Sequence, residues 1–350
     1  MTVKALSSGV LVACVVLGAV PASAQADDAL YAAARQEGAL VIYGGGPATW
    51  YDPWVKEFEA AYPGIKVTVK AGSSNVHADE IDAQIKAGRL AVDAAILQTI
   101  QDYERWKRGN LLMAFKPDGF DKIDDGFKDR DGAYLGITVH GIGYAYNTQK
   151  IASGQVPKSA LDFLKPEFKG KIITTYPHLD DVTLYLYQSI VDKYGADYLA
   201  KLKANEPGFV RGHLGVARAI AAGTERTLSF DSFENMTLAE TDAGKPIAFT
   251  ISEVDPLPVY AQIAGIFKDA PHPNAAKLYV SWYLKPEQQK RQGAWPSRTD
   301  VPPPAPLKPL SNYKVINNFR EFVMDELRMK ALRAQYLGFT GEASTSGTYR

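Results

Sequence analysis

Five histidines, His77, His140, His178, His213 and His272, are the first candidates for chemistry, and they are scattered. There is no H-E-x-x-H segment, and Cys14 is the single cysteine. The spacing that places two metal ligands on one helix face is therefore missing. His77 and Glu80 could share a face as a metal pair or as an ordinary surface pair. His178 opens the run His178-Leu179-Asp180-Asp181 after an expected strand, where helix capping and contact with a solute both remain open. No G-x-S-x-G occurs, and no nucleophile lies beside a base, so catalysis has little support. Gly44-Gly45-Gly46 lacks the third glycine of a dinucleotide fingerprint, since position 49 is Thr49, and no phosphate-loop Gly-Lys-Ser/Thr follows. It reads either as a backbone edge offering N–H groups to an anionic or carbonyl group, or as a tight turn between strand and helix. No cofactor and no resident metal are expected.

Aromatic residues near candidate loops are Trp50, Tyr51, Tyr146, Tyr176, Phe230 and Phe233. They could wall or stack on an organic solute, or fill a core. For Trp54 and Phe58 the core is the better reading. Arg211 could grip a carboxylate or phosphonate with two parallel bonds, or sit solvated on the surface. Asp231, Glu234 and Glu253 could instead receive a cation, so the sign of the ligand charge stays open.

The elements that must position these groups follow from periodicity. Asp27–Gln36 reads as a helix and Ala39–Tyr43 as a short buried strand. Trp50–Tyr62 has helical spacing, and Pro63-Gly64 stops it. Ile65–Val69 alternates as a strand, a helix runs to Lys86, Asp93–Leu97 is a third strand and another helix follows. This alternation implies a parallel sheet with helices on both faces, whose ligands sit beyond the carboxyl ends of the strands. The segments at those ends supply the candidate contacts Gly45, Gly46, Thr49, Trp50, Ser73, Ser74, Gln98 and Thr99. Tyr134–Asn147 is a long β-like stretch, and a second α/β series starts near Lys171. Its strand ends and neighbours supply Tyr146, Tyr176, His178, Arg211, Asp231, Phe233 and Glu253. Ile247–Thr250 is the last clear strand. Helices are expected at Asn274–Leu284 and Pro286–Gln292, an irregular proline-rich loop at Pro302–Pro309, and a final helix over Val315–Tyr336.

The 350 residues hold 39 Lys+Arg against 39 Asp+Glu, a balance that argues against nucleic-acid binding through a basic face. At 46% apolar and 22% charged, the composition is that of a globular chain long enough for about two domains. One cysteine excludes an intramolecular disulfide. Lys4, the apolar run Val10–Val20 and Ala22-Ser23-Ala24 form an export leader with cleavage expected after Ala24. Leu11-Val12-Ala13-Cys14 has the form of a lipoprotein box, but the apolar run continues past Cys14. A cleaved, cysteine-free chain suits an oxidising compartment.

The order of several segments resembles the periplasmic solute-binding proteins of ABC importers, in the group that includes ferric-iron, thiamine and phosphonate binders. The resemblance rests on Leu40–Gly44, Phe58–Val67, Ala145–Thr148, Leu164–Lys171, Ala217–Gly223, Ala243–Pro246, His272–Leu278 and Trp295–Val301, taken together and in order. It implies a two-lobed α/β fold of periplasmic-binding-protein type II, with two crossing hinge strands and a central ligand cleft. The leader would be residues 1–24, lobe one 25–136 plus 255–310, hinge and lobe two 137–254, and a C-terminal helix with a frayed tail 311–350. The implied partners are a small solute, held between the lobes, and an inner-membrane permease; a periplasmic monomer is expected. Ferric binders of this group use two adjacent tyrosines. This chain has no Tyr-Tyr dipeptide, the matching region reads Asp231-Ser232-Phe233-Glu234, and Pro47 stands where many carry a histidine. An organic anion or zwitterion is therefore the expected solute. Ferric iron, a sensor partner of a histidine kinase, and an enzyme on the same scaffold are the alternatives.

Overall fold

A computed structural model describes residues 22–343. Residues 1–21, most of the leader expected over 1–24, and the tail beyond 343 lie outside the described residues.

Helix α1 (Ala22–Glu37) leads into β1 (Ala39–Gly45), whose apolar run is buried between helices. The chain then alternates through α2 (Asp52–Ala61), β2 (Lys66–Gly72), α3 (Ser74–Lys86), β3 (Ala94–Leu97) and α4 (Ile100–Arg108). Strand β1 pairs in parallel with β2 and β3, as crossover helices require. Aromatic packing fixes the helices that flank this sheet to one another. Phe58 of α2 is fully buried, with ring centroids 5.0 Å from Tyr279 and 5.5 Å from Trp282. Burial of one such side chain contributes about 1.5–3 kcal/mol.

The long strand β4 (Leu135–Asn147) joins two groups of strands. Beyond it come β5 (Ile173–Thr175), α5 (Asp181–Tyr194), α6 (Asp197–Ala204), β6 (Gly208–Val210), α7 (His213–Ala222), β7 (Leu228–Phe233), α8 (Glu234–Asp242), β8 (Ile247–Thr250) and β9 (Leu257–Ile266). Residues 135–141 of β4 pair antiparallel with β9, which continues to β3. Residues 142–147 pair with β7 and β8 instead. Thus β4 and the β8–β9 connection both cross from one group to the other. Gly143 sits at the crossing, where a Cβ would come within 2.5 Å of the Phe249 ring and 2.6 Å of the Thr250 carbonyl oxygen. Only glycine lets these strands approach so closely.

After β9, α9 (Pro273–Tyr283) and α10 (Pro286–Gln289) precede β10 (Trp295–Pro296), which pairs with β4. The proline-rich stretch from Pro302 carries no regular element until Leu310. The chain ends through β11 (Val315–Ile316), α11 (Phe319–Met324) and α12 (Glu326–Thr340).

Four elements differ from expectation. Strand β9 is central and buried along its length, although Ile247–Thr250 was expected to be the last clear strand. Pro258 lies at its start, where a missing N–H costs little. Helices α6 and α8 were not anticipated. The single C-terminal helix expected over Val315–Tyr336 is divided, because Asp325 leaves helical geometry (φ −86°, ψ 86°) and its carboxylate caps the Arg328 N–H at 2.9 Å.

Candidate functional site

The carboxyl ends of β1, β2 and β3 open onto one cavity, with about 450 Å³ of atom-free space including its mouth. On this side the wall is Gly45, Gly46, Pro47, Trp50, Gly72, Ser73, Ser74 and Gln98. Asp180, His213, Phe233 and Met236, at or beside the starts of α5, α7 and α8, form the opposite wall. Tyr260 and Gln262 of β9 complete it; two residues apart on a strand, they face the same side.

Local structure explains each position. Gly46 has φ +102°, and a Cβ there would meet the Trp50 indole at 2.6 Å, so the turn needs glycine to seat Trp50 on the cavity. The Tyr51 hydroxyl (2.8 Å) and the Gln262 amide (3.2 Å) both donate to the Gly45 carbonyl, which holds the glycine loop rigid. Ser73 and Ser74 stand at the start of α3, and Ser74 Oγ accepts from the Gln98 N–H at 3.4 Å. Across the cavity the Asp180 carboxylate caps α5 through Val182 N (2.9 Å) and Thr183 N (3.0 Å) and accepts from Gln98 Nε2 at 3.1 Å. Gln101 Nε2 reaches Asp181 at 2.8 Å, and Arg333 of α12 pairs with the same carboxylate. The starts of α3, α5 and α7 therefore meet at one space, where their positive ends face the cavity and Asp180 caps that of α5.

Two buried histidine–carboxylate pairs back the cavity. His213 Nε2 lies 2.8 Å from Asp231, which is fully buried and also accepts from Thr174 Oγ1 (2.8 Å), Thr175 N (2.9 Å) and Thr175 Oγ1 (2.8 Å). Burial alone would favour a neutral ring. The Asp231 charge and hydrogen bond outweigh it and raise the His213 pKa above the usual imidazole range. Burial likewise opposes the Asp231 charge, but His213 and Thr175 hold its pKa below the usual carboxylate range. The second pair is His140 Nδ1 and Glu234 Oε1, at 3.1 Å. Phe233 lies between the pairs, with ring centroids 4.5 Å from His213 and 5.9 Å from His140.

Of the residues expected at the site, Gly45, Gly46, Trp50, Ser73, Ser74, Gln98 and Phe233 line this cavity, and Asp231 stands directly behind His213. The others lie elsewhere. Thr49 is exposed on the turn before Trp50, and Thr99 is buried at the start of α4. Tyr146 is held between β7 and β8. Tyr176 packs on Phe209, which meets Phe339 of α12, and His178 Nδ1 lies 3.1 Å from Thr340 Oγ1, so α12 covers that edge of the sheet. Arg211 is exposed close to His178, and Glu253 pairs with Lys158 at 3.0 Å on the surface. Sequence reasoning missed His213, Met236, Tyr260 and Gln262 as wall residues. His213 follows a strand end and a glycine at a helix start, the same signal that pointed to Ser73 and Ser74. Tyr260 and Gln262 were hidden with β9.

The profile of the bacterial extracellular solute-binding protein family matches residues 43–290. The chain belongs to this family. Its members are solute-binding proteins, a non-enzymatic family. An Fe(3+)-binding periplasmic protein of Serratia marcescens is 22% identical over 270 residues, 74% of this chain and 77% of the relative. Among solved structures, iron-bound HitA from Pseudomonas aeruginosa is 20% identical with a TM-score of 0.70, covering 85% of this chain and 99% of that one. AfuA from Actinobacillus pleuropneumoniae, with fructose-6-phosphate bound, is 21% identical with a TM-score of 0.71, covering 87% and 99%. The solute-binding protein therefore has the two-lobed α/β fold of periplasmic binding proteins.

Proposed function

We propose that this protein is the periplasmic substrate-binding component of an ABC importer, and that it captures a small organic anion or zwitterion between its lobes for delivery to an inner-membrane permease. Lobe one comprises residues 25–136 and 255–310, and lobe two with the hinge comprises 137–254. The strands that cross at Gly143 and the 251–256 connection are the hinge. The observation that carries the anion is the meeting of the α3, α5 and α7 starts at one cavity, together with Ser73, Ser74 and a His213 ring whose hold on its proton is strengthened by buried Asp231. Closure follows from contacts that the solute makes with both walls and only when the cleft is shut.

Ferric iron is the second reading, favoured by the iron-binding names of the Serratia marcescens relative and of HitA. The donors here suit it poorly. Hard Fe³⁺ needs phenolate or carboxylate oxygens. Tyr260 is the single phenol on the cavity wall, and burial pushes the hydroxyl of neighbouring Tyr51 far above its ordinary pKa. Asp231 is already committed to His213 and two threonines.

Native mass spectrometry of protein purified without refolding, followed by calorimetry with organic phosphates, carboxylates, amino acids and ferric citrate, tests the choice. An organic anion or zwitterion is expected to bind with a melting-temperature rise and a more compact scattering profile. Stoichiometric binding of ferric ion with no response to any organic anion would overturn the reading.

A further inference from the structure

Beneath Trp50 lies a second chamber that the anion reading leaves unexplained. Trp50 and Gln262 line both spaces, so the two are neighbours across a shared wall. The second is bounded also by Trp54, Thr138, His140, Asn235 and Gln292. Its aromatic surface is ordered: Trp50 stacks on His140 at 6.2 Å, and Trp54 packs against Tyr283 at 4.9 Å.

The polar atoms around this chamber share one character. Asn235 Oδ1 and Gln292 Oε1 are buried and have no hydrogen-bond partner among the described residues. The amide nitrogen of Gln292 is spent on the Ile137 carbonyl at 3.0 Å, which leaves its oxygen as the free end. Behind His140, the fully buried Glu234 holds that ring through Oε1, and its Oε2 has no partner. All three are acceptors. A buried acceptor without a donor is costly to keep, and native proteins rarely leave several together without a reason. Aromatic faces beside unsatisfied acceptors suit a group that brings N–H or O–H donors on a small carbon frame.

We infer that the solute is bipartite: its anionic end lies at Ser73, Ser74 and His213, and a hydrogen-bond-donating end, hydroxyl or ammonium, passes Trp50 into the chamber bounded by His140, Asn235 and Gln292. This rests on the anion reading and adds the other half of the molecule.

Matched pairs of equal carbon skeleton test it by calorimetry on the mature protein: glycerol 3-phosphate against propyl phosphate, gluconate against hexanoate, and 4-aminobutanoate against butanoate. At least one donor-bearing member is expected to bind about tenfold or more tighter than its apolar-ended partner. The first two pairs report hydroxyl donors and the third ammonium. Asn235→Leu and, separately, Gln292→Leu should erase that preference, with folding checked by melting temperature. Equal affinities within every pair overturn the chamber and leave the anion reading standing. Preference for the apolar-ended members likewise overturns the chamber alone. No binding by any of the six overturns both.

Discussion

Replacing Asp231 with asparagine is the sharpest test of the electrostatics at the cleft. The side chain is fully buried and takes bonds from His213, Thr174 and Thr175, all between 2.8 and 2.9 Å. Asp231→Asn keeps the shape but removes the charge that supports the buried His213 ring. Breaking one partner of a buried pair costs about 3–5 kcal/mol; part is recovered when the ring gives up its proton, so about 3 kcal/mol is expected. At roughly 2–4 °C per kcal/mol, the melting temperature should fall by about 6–12 °C near pH 6. The pH dependence carries a sign. His213 has a raised folded pKa, so its contribution is complete below the unfolded value of about 6.5 and is lost as pH rises through the folded value. Asp231 has a lowered folded pKa, so its contribution is present above about 3.9 and is lost as pH falls through the folded value. Between those limits the wild-type pair is fully formed. Calorimetric melting from pH 5 to 9 should show the wild type losing stability above pH 6.5, the variant nearly flat there, and the gap between them narrowing. Parallel curves, or equal melting temperatures at pH 6, would refute the account of a protonated His213 held by Asp231.

Three further outcomes follow from single contacts. Gly46→Ala forces a side chain onto a backbone at φ +102° and into the Trp50 ring, so it should cost about 1–3 kcal/mol and weaken solute binding more than it lowers the melting temperature. Calorimetric titration and thermal melting, run together, check the ratio. Gln101→Ala removes the 2.8 Å bond to Asp181 without touching the cavity wall; losing about 1 kcal/mol of closed-state preference should lower solute affinity about fivefold and enlarge the solute-free scattering radius. An unchanged affinity would show that this contact is equal in the open and closed forms. Glu253→Ala breaks an ion pair whose side chains are both 64% exposed, so melting and solute affinity should stay within about 0.5 kcal/mol of wild type; a larger loss of affinity would return Glu253 to the site.

The first half of the fold was legible because its signals are local. Leu40, Ile42 and Tyr43, then Phe58, then Val67, bury in strand and helix periods, and Pro63-Gly64 separates them cleanly. The cleft loops of this half could then be placed by the rule for strand ends. Strand β9 was not legible, because Pro256 and Pro258 speak locally for a break while long-range pairing with β3 and β4 decides the outcome. Losing β9 also lost Tyr260 and Gln262. In the second half the strand-end rule selected Tyr176, His178 and Arg211 alongside the cavity. It gave no sign that Phe339 and Thr340, far along the chain, cover the edge where Tyr176 and His178 lie. The apolar stripe over Val315–Tyr336 likewise concealed a break, which one aspartate carboxylate makes at Asp325.

The two buried histidine–carboxylate pairs are a poor way to build a stable core. Apolar side chains of similar volume often serve stability as well or better than a buried pair. Their placement gives them a different role. Both touch Phe233, one behind the cavity at the strand ends and one behind the chamber under Trp50, so each fixes a ring that borders one of the two spaces. His213 is anchored by a carboxylate already saturated with donors, and so presents a fixed ring edge to the cavity. Beside His140, Asn235 Oδ1 and Gln292 Oε1 are still unpartnered, and so that wall gains when a donor arrives. A solute with only one of these features leaves the other wall unsatisfied. That difference in pairing, more than the size of the cleft, is what would let a site of this kind distinguish one small anion from another.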